Sequence, residues 1–335
     1  MDYEIFNLGD AKLQSGTTLP GAFLAYKTYG RLNEEKNNVI VYPTAFGDTH
    51  AQNEWLIGSG KALDPDKYFI IVPNLLGNGL SSSPSNMPAP YDRSRFPRVS
   101  VYDNVAFQYR LIREKFGIDR IALVVGWSMG GIQAFQWGAS YPEAVERIAP
   151  FGGIAKPWPH TFVVLDSLKA ALLSAVGFDP DRLDELTSAD LRAVGKVYAG
   201  WGLSHAFYRE KMYGQMGFDS LESFVSGVWE NSFMNMDPHN VLAMLATGQS
   251  ADISDNGMYG GDFDLALRSI TARACIMPGS TDLFCRAEDN EYEAARMPNA
   301  VCRPIVSDWG HFAGRGINQK DHAFIDRQLK SLLES

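Results

Sequence analysis

The chain has 335 residues, 45% hydrophobic and 21% charged, with a net charge of −9. That length and composition fit one large α/β domain with an insertion, or two domains, while the acidity and the lack of a Lys/Arg cluster exclude nucleic acid as the main partner. Three cysteines with no C-x-x-C pair, no basic-then-apolar leader and no apolar stretch of membrane length lead us to expect free thiols, no membrane and a cytoplasmic location.

Residues 22–29 are the first predicted strand. Val39–Pro43 and Phe69–Pro73 are short apolar runs closed by proline, as expected of buried strands. Asp103 is read as the cap of a helix reaching about Phe116, with Val105, Leu111, Ile112 and Phe116 among its apolar positions. A strand at 121–125 leads through Gly126-Trp127-Ser128-Met129-Gly130 into a helix ending near Tyr141, and Arg147–Phe151 is another strand. Such alternation predicts an α/β fold, a mostly parallel sheet with helices on both faces. From 156 to 266 strand signals fade, and Met and aromatic residues abound, among them Trp158, Trp201, Phe207, Tyr213 and Trp229. Helical patterns such as Leu183–Val197 alternate there with Gly, Asp and Pro breaks. We read 156–266 as a helical lid domain over the C-terminal edge of the sheet, and 1–155 with 267–335 as the core domain. Ala274–Pro278 and Val301–Val306 are the last predicted strands.

The chemistry centres on Ser128. In G-x-S-x-G between a strand and a helix, the serine sits on a tight turn, its oxygen at a helix N-terminus whose amides favour a nearby oxyanion. The flanking glycines permit the strained backbone and close helix–strand packing. Serine alone is a poor nucleophile and needs a base and an acid. Asp282 follows the 274–278 strand and His311 follows the 301–306 strand, so both can meet Ser128 at one sheet edge. The order Ser128, Asp282, His311 is that of the α/β-hydrolase fold. Ser128 is the expected nucleophile, His311 the general base and then acid, and Asp282 the group that fixes the imidazole tautomer. Asp308, three residues before His311, is the rival acid; Asp282 is preferred because it ends its own strand. The backbone N–H groups of Ala45, after Val39–Pro43, and of Met129 are the expected oxyanion donors. Candidate substrate contacts are Phe46, Trp127, Phe207, Tyr213 and Phe312.

The other histidines are His50, His160, His205, His239 and His322, with no helical i, i+4 pair, so no metal is expected. Each is read as structural or superficial, although the loop of His50 is expected to face the site. Gly77-Asn78-Gly79 lacks the third spaced glycine of a dinucleotide site, and no phosphate-binding P-loop occurs, so no cofactor is expected.

The chain resembles the homoserine O-acetyltransferase group of α/β hydrolases. The resemblance rests on Ala45–His50, Pro73–Gly79 with Ser81–Pro84, Phe96–Val105 with Gln108, Gly126–Gly131 with Gln133-Ala134, and Gly310-His311. It implies the same triad and oxyanion donors, ping-pong chemistry through an acyl-enzyme, an acyl-CoA as acyl donor, and a homodimer through the lid. Two positions depart from the group. Phe312 stands where those enzymes carry an aspartate for the substrate amino group, and Phe207 stands where an arginine clamps the substrate carboxylate. Phenylalanine makes no bidentate carboxylate contact, and Arg209 points away from that direction on a helix. Three functions are therefore weighed: first a serine hydrolase of an ester, thioester or amide, then an acyltransferase with an acceptor other than homoserine, and last a non-catalytic binding protein.

Overall fold

The computed structural model describes residues 2–335. Among them the strands are β1 (Glu4–Lys12), β2 (Thr18–Tyr29), β3 (Val39–Val41), β4 (Phe69–Pro73), β5 (Leu123–Trp127), β6 (Arg147–Phe151), β7 (Arg273–Ile276) and β8 (Ala300–Cys302). They form one sheet in the order β1-β2-β4-β3-β5-β6-β7-β8. β2 runs antiparallel to both β1 and β4, and all pairings from β4 to β8 are parallel. Every residue of β3, β4 and β5 is buried, which requires cover on both faces and explains their unbroken apolar runs. Successive side chains alternate between two cores. Val39 and Val41 pack in the cluster that holds Val105, Phe135 and Trp137, whereas Ile40 and Tyr42 pack in the one that holds Ile325, Leu329 and Leu332.

Helices α1 (Val101–Arg110) and α2 (Met129–Ser140) carry the residues of the first cluster, and α11 (Gln319–Glu334) carries those of the second. Between β6 and β7 stand α3 (Pro159–Ser174), α4 (Ser188–Gly202), α5 (His205–Arg209), α6 (Leu221–Phe224), α7 (Asn231–Met234), α8 (Pro238–Gln249) and α9 (Phe263–Ser269), and α10 (Ala287–Ala294) follows β7. No helix among the described residues is long and apolar enough to cross a membrane. Cys275, Cys285 and Cys302 are free thiols.

Several local expectations are corrected. β1 escapes the sequence reading because only Leu8 and Ala11 of its nine residues are buried and two register shifts near Gly9 break its alternation. Ser100, not Asp103, caps α1. Asp103 is the N3 partner of a capping box, its carboxylate accepting from the Ser100 N–H (2.8 Å) while Ser100 Oγ accepts from the Asp103 N–H (3.1 Å). Leu183–Val197 is not one helix: a 3-10 turn over Pro180–Glu185 is followed by extended Leu186, and Thr187 caps α4. β8 ends at Cys302, short of Pro304, whose missing N–H cannot serve a ladder, and pairing resumes only as a bridge at Ile305.

Glu293 of α10 anchors the start of the helical segment. Its Oε1 accepts from the Ala155 N–H (2.9 Å) and the Trp158 indole (3.1 Å), and its Oε2 from Asn290 (2.8 Å), which also donates to the Gly153 carbonyl. Burial pushes its pKa from 4.5 to about 8. Between those values the unfolded chain loses a proton that the folded chain retains, so stability falls as pH rises through the window. Glu293→Gln is expected to gain in melting temperature relative to wild type between pH 5 and pH 9. Parallel wild-type and variant profiles in thermal scans would contradict a raised Glu293.

Candidate active site

Ser128 lies between β5 and α2 with φ +52° and ψ −121°, a conformation a non-glycine residue adopts only when its surroundings enforce it. The surroundings are tight. A Cβ on Gly126 would sit 2.3 Å from the Gly130 backbone, and one on Gly130 would sit 2.5 Å from the Pro43 carbonyl oxygen. The elbow therefore needs both glycines for close approach, and α2 begins directly against the chain leaving β3.

Asp282 lies past β7, and His311 occupies a 3-10 turn, Gly310–Gly314, past β8. Ser128, Asp282 and His311 thus gather beyond the C-terminal ends of parallel strands. Ser128 Oγ is 2.8 Å from His311 Nε2, and His311 Nδ1 is 2.7 Å from Asp282 Oδ2. The other Asp282 oxygen accepts from the N–H groups of Phe284 (2.7 Å) and Cys285 (2.9 Å). An ionised carboxylate only accepts, so it holds the proton on Nδ1 and leaves Nε2 free to take the serine proton. All three residues are at most 5% exposed. Asp308 is exposed and only its backbone carbonyl is engaged, by Ser204. The structure thus brings Asp282, and not Asp308, to the imidazole.

Trp127 and Phe284 flank that ring at 5.2 and 5.0 Å, and the Trp127 indole donates to the His311 carbonyl (3.1 Å). The Cys285 thiol lies close to Asp282 and His311, a grouping with metal-donor atoms. Burial holds that thiol well above its usual pKa, so it stays protonated and is a poor metal ligand or nucleophile. The imidazole and carboxylate are already bound to each other.

Met129 is the first residue of α2, and its N–H has no acceptor among the described residues; nor has that of Ala45. The Thr44 side chain accepts from the Leu75 N–H (2.9 Å), and the Thr44 N–H donates to the Pro73 carbonyl (3.2 Å), which fixes the loop that carries Ala45.

Two cavities adjoin the elbow. The inner one is lined by Ser128, Met129, Ile132, Leu165, Leu245, Gly248, Phe284 and Cys285 among others, with no charged side chain. The outer one is lined by Trp127, Trp229, Phe312 and the ion pair Asp48–Arg315 among others. Phe46 and Tyr198 line both. The pair is bidentate, Nη2 to Oδ1 measuring 2.8 Å with Nη1 on Oδ2, and the guanidinium lies 4.9 Å from the Trp127 ring centroid. Burial raises the Asp48 pKa and Arg315 opposes that rise.

Of the expected substrate contacts, Phe46, Trp127 and Phe312 line these cavities. Phe207 and Tyr213 do not. Phe207 is fully buried against Trp309 (5.1 Å) and Phe224 (5.6 Å), and Tyr213 stacks on Phe224 (5.7 Å). Their helix-and-turn segment packs these rings against Phe224 and Trp309 rather than into either cavity. Arg209 is exposed and pairs with Glu210. His50 lines neither cavity; its ring meets Asp2 (3.2 Å) and Tyr3 (5.7 Å). Arg315, Tyr198, Leu165 and Gly248 were not anticipated. Only Arg315 carried a signal, standing four residues after His311.

The chain has recognisable relatives among known proteins. The alpha/beta hydrolase fold family matches over residues 38–240. An ethyl acetate hydrolase of Pseudomonas veronii is 37% identical, over 99% of this chain and 96% of that protein. The crystal structure of the acetyl esterase MekB superposes with a TM-score of 0.95 at 36% identity, covering 99% and 97% of the two chains. A homoserine O-acetyltransferase of Thermobifida fusca is 31% identical over 89% and 86%. The chain belongs to the α/β-hydrolase family, within the group that unites such acetyl esterases with homoserine O-acetyltransferases.

Proposed function

We propose that this chain is a serine esterase that hydrolyses small neutral esters through an acyl-enzyme. The observation that carries the reading is the unbroken Ser128–His311–Asp282 relay opening onto an uncharged cavity. Ser128 attacks the ester carbonyl as His311 takes its proton. The amides of Met129 and Ala45 hold the oxyanion. His311 returns the proton to the departing alcohol, and water repeats the cycle on the acyl-enzyme. The inner cavity, continuous with Met129, takes the acyl group. The outer cavity, on the Phe312 side of the histidine, takes the alcohol. The 156–266 segment acts as a lid domain, since Leu165, Tyr198, Trp229 and Leu245 supply walls of both cavities. The esterase names of the full-length relatives support hydrolysis, as does Phe312, which offers no charge to an amino group and packs against Trp127 and Trp229.

The 31% identity to a homoserine O-acetyltransferase favours transfer to an acceptor other than homoserine as the second reading. Intact-protein mass spectrometry separates the two, with wild type beside Ser128→Ala after mixing with acetyl-CoA or p-nitrophenyl acetate. Rapid release of acetate from the simple ester, with no adduct from the thioester, is the expected result. A Ser128-dependent acetyl adduct from acetyl-CoA that persists in water and clears on adding an alcohol acceptor would establish the transferase instead.

The cavity assignment has its own test. A Cβ on Gly248 would lie 3.2 Å from the Met129 methyl and 3.5 Å from a Leu165 methyl, inside the inner cavity. Gly248→Val is expected to lower kcat/KM for ethyl butyrate about tenfold more than for butyl acetate, the scale on which a hydrophobic pocket resolves methylene groups. The reverse preference would exchange the two cavities.

A further inference from the structure

Three buried side chains on α1 and α2, which the reaction does not touch, form a directed hydrogen-bond chain that ends at the oxyanion loop. The Trp137 indole donates to Gln108 Oε1 (2.9 Å), Gln108 Nε2 donates to Gln133 Oε1 (2.6 Å), and Gln133 Nε2 donates to the carbonyls of Thr44 (3.0 Å) and Met129 (3.1 Å). All three side chains are fully buried. An indole N–H can only donate, so it decides which end of Gln108 faces it. Gln108 in turn decides which end of Gln133 faces it. The orientation of both amides is thereby set, and Gln133 has both of its N–H groups aimed at backbone oxygens.

The Thr44 carbonyl belongs to the same planar peptide as the Ala45 N–H, and in a trans peptide the two point in opposite directions. Holding one aims the other. The Met129 carbonyl belongs to the first turn of α2, one residue beyond the elbow. One side chain therefore ties the loop after β3 to the start of α2, the two segments that carry the oxyanion amides.

We infer that Gln133, oriented by Gln108 and Trp137, is a positioning residue for the oxyanion hole. The inference rests on the esterase reading of Ser128 given above. A preorganised donor counts in catalysis only if its direction is held before charge develops, and small misplacements at such sites cost up to about a hundredfold in rate. Gln133 thus acts on kcat through the Ala45 amide without touching substrate.

The test uses the full chain with p-nitrophenyl acetate and compares Gln133→Met, Gln108→Met and the double variant. Active sites are counted by titration with a fluorophosphonate, so that misfolded protein is left out of the rate. Gln133→Met is expected to lower kcat per titrated site about tenfold to a hundredfold with KM within about twofold. Gln108→Met is expected to lower it less, and the double variant to match Gln133→Met. The Ki of a trifluoromethyl ketone, whose serine adduct carries the oxyanion, should rise by the same factor as kcat falls, an effect a merely structural role would not produce. A kcat per site within twofold of wild type, or an unchanged trifluoromethyl ketone Ki, would overturn the role of Gln133. Unaltered ester turnover in Ser128→Ala would instead remove the esterase reading itself, whatever Gln133 does.

Discussion

Ser128→Ala and His311→Ala are each expected to lower kcat for a simple ester by a factor on the order of 10⁶, and the double variant to be little worse than either. The reason lies in the 2.8 Å contact between Ser128 Oγ and His311 Nε2. Without the imidazole the hydroxyl keeps its proton at neutral pH and does not attack. Without the hydroxyl the imidazole has nothing to activate. Each residue therefore loses its role when the other is removed, and the losses do not multiply. Steady-state rates measured beside the uncatalysed background check this. A double variant far below both single variants would mean that the two act independently, against the relay. The oxyanion amides survive all three substitutions, so a residual acceleration of about 10³ to 10⁴ over water should persist.

Asp282→Asn is expected to cost about 10⁴ in kcat, while Asp308→Asn stays within about twofold of wild type. The surroundings of Asp282 make the first outcome specific. Its Oδ1 accepts from the Phe284 and Cys285 amides, so an asparagine must keep its carbonyl oxygen there. Its NH₂ then faces His311 Nδ1. That nitrogen becomes the acceptor, the proton moves to Nε2, and the imidazole meets Ser128 as a donor instead of a base. Activity lost through the wrong tautomer leaves the fold intact, so the melting temperature of the variant should change far less than its rate. Asp308, exposed and with no hydrogen bond from its carboxylate to the imidazole, offers no such coupling. A large loss in Asp308→Asn with an active Asp282→Asn would reverse the assignment of the acid.

The elbow and Asp282 were legible because each follows a strand with a clear apolar run, whereas His311 was placed by its order in the chain, since the strand before it is only Ala300–Cys302 and none of it is buried. Backbone topology then leaves one sheet edge where they can meet. β1 was not legible because an edge strand with a polar outer face and bulges lacks periodicity. The cap of α1 was misplaced by three residues because both members of a capping box are polar and either can be read as the cap. Phe207 and Tyr213 were misassigned for a different reason. An aromatic residue in a helical segment can face a cavity or a core, and only the packing of Trp309 and Phe224 decides which. The inner cavity was invisible in the sequence because Leu165, Tyr198 and Gly248 come from separate helices and converge only in three dimensions.

The Asp48–Arg315 pair bears on which molecules are turned away. Arg315 is the cation in the outer cavity wall, and both terminal nitrogens of its guanidinium are already engaged by Asp48. A free amino acid entering this chamber would find its carboxylate facing an occupied fork and its ammonium facing the rings of Phe312 and Trp229. Its carboxylate would have to shed water and would find no free guanidinium fork in return. Neutral alcohols carry no such burden. With the alcohol in the outer cavity, as proposed above, this lining favours neutral alcohols over zwitterionic acceptors.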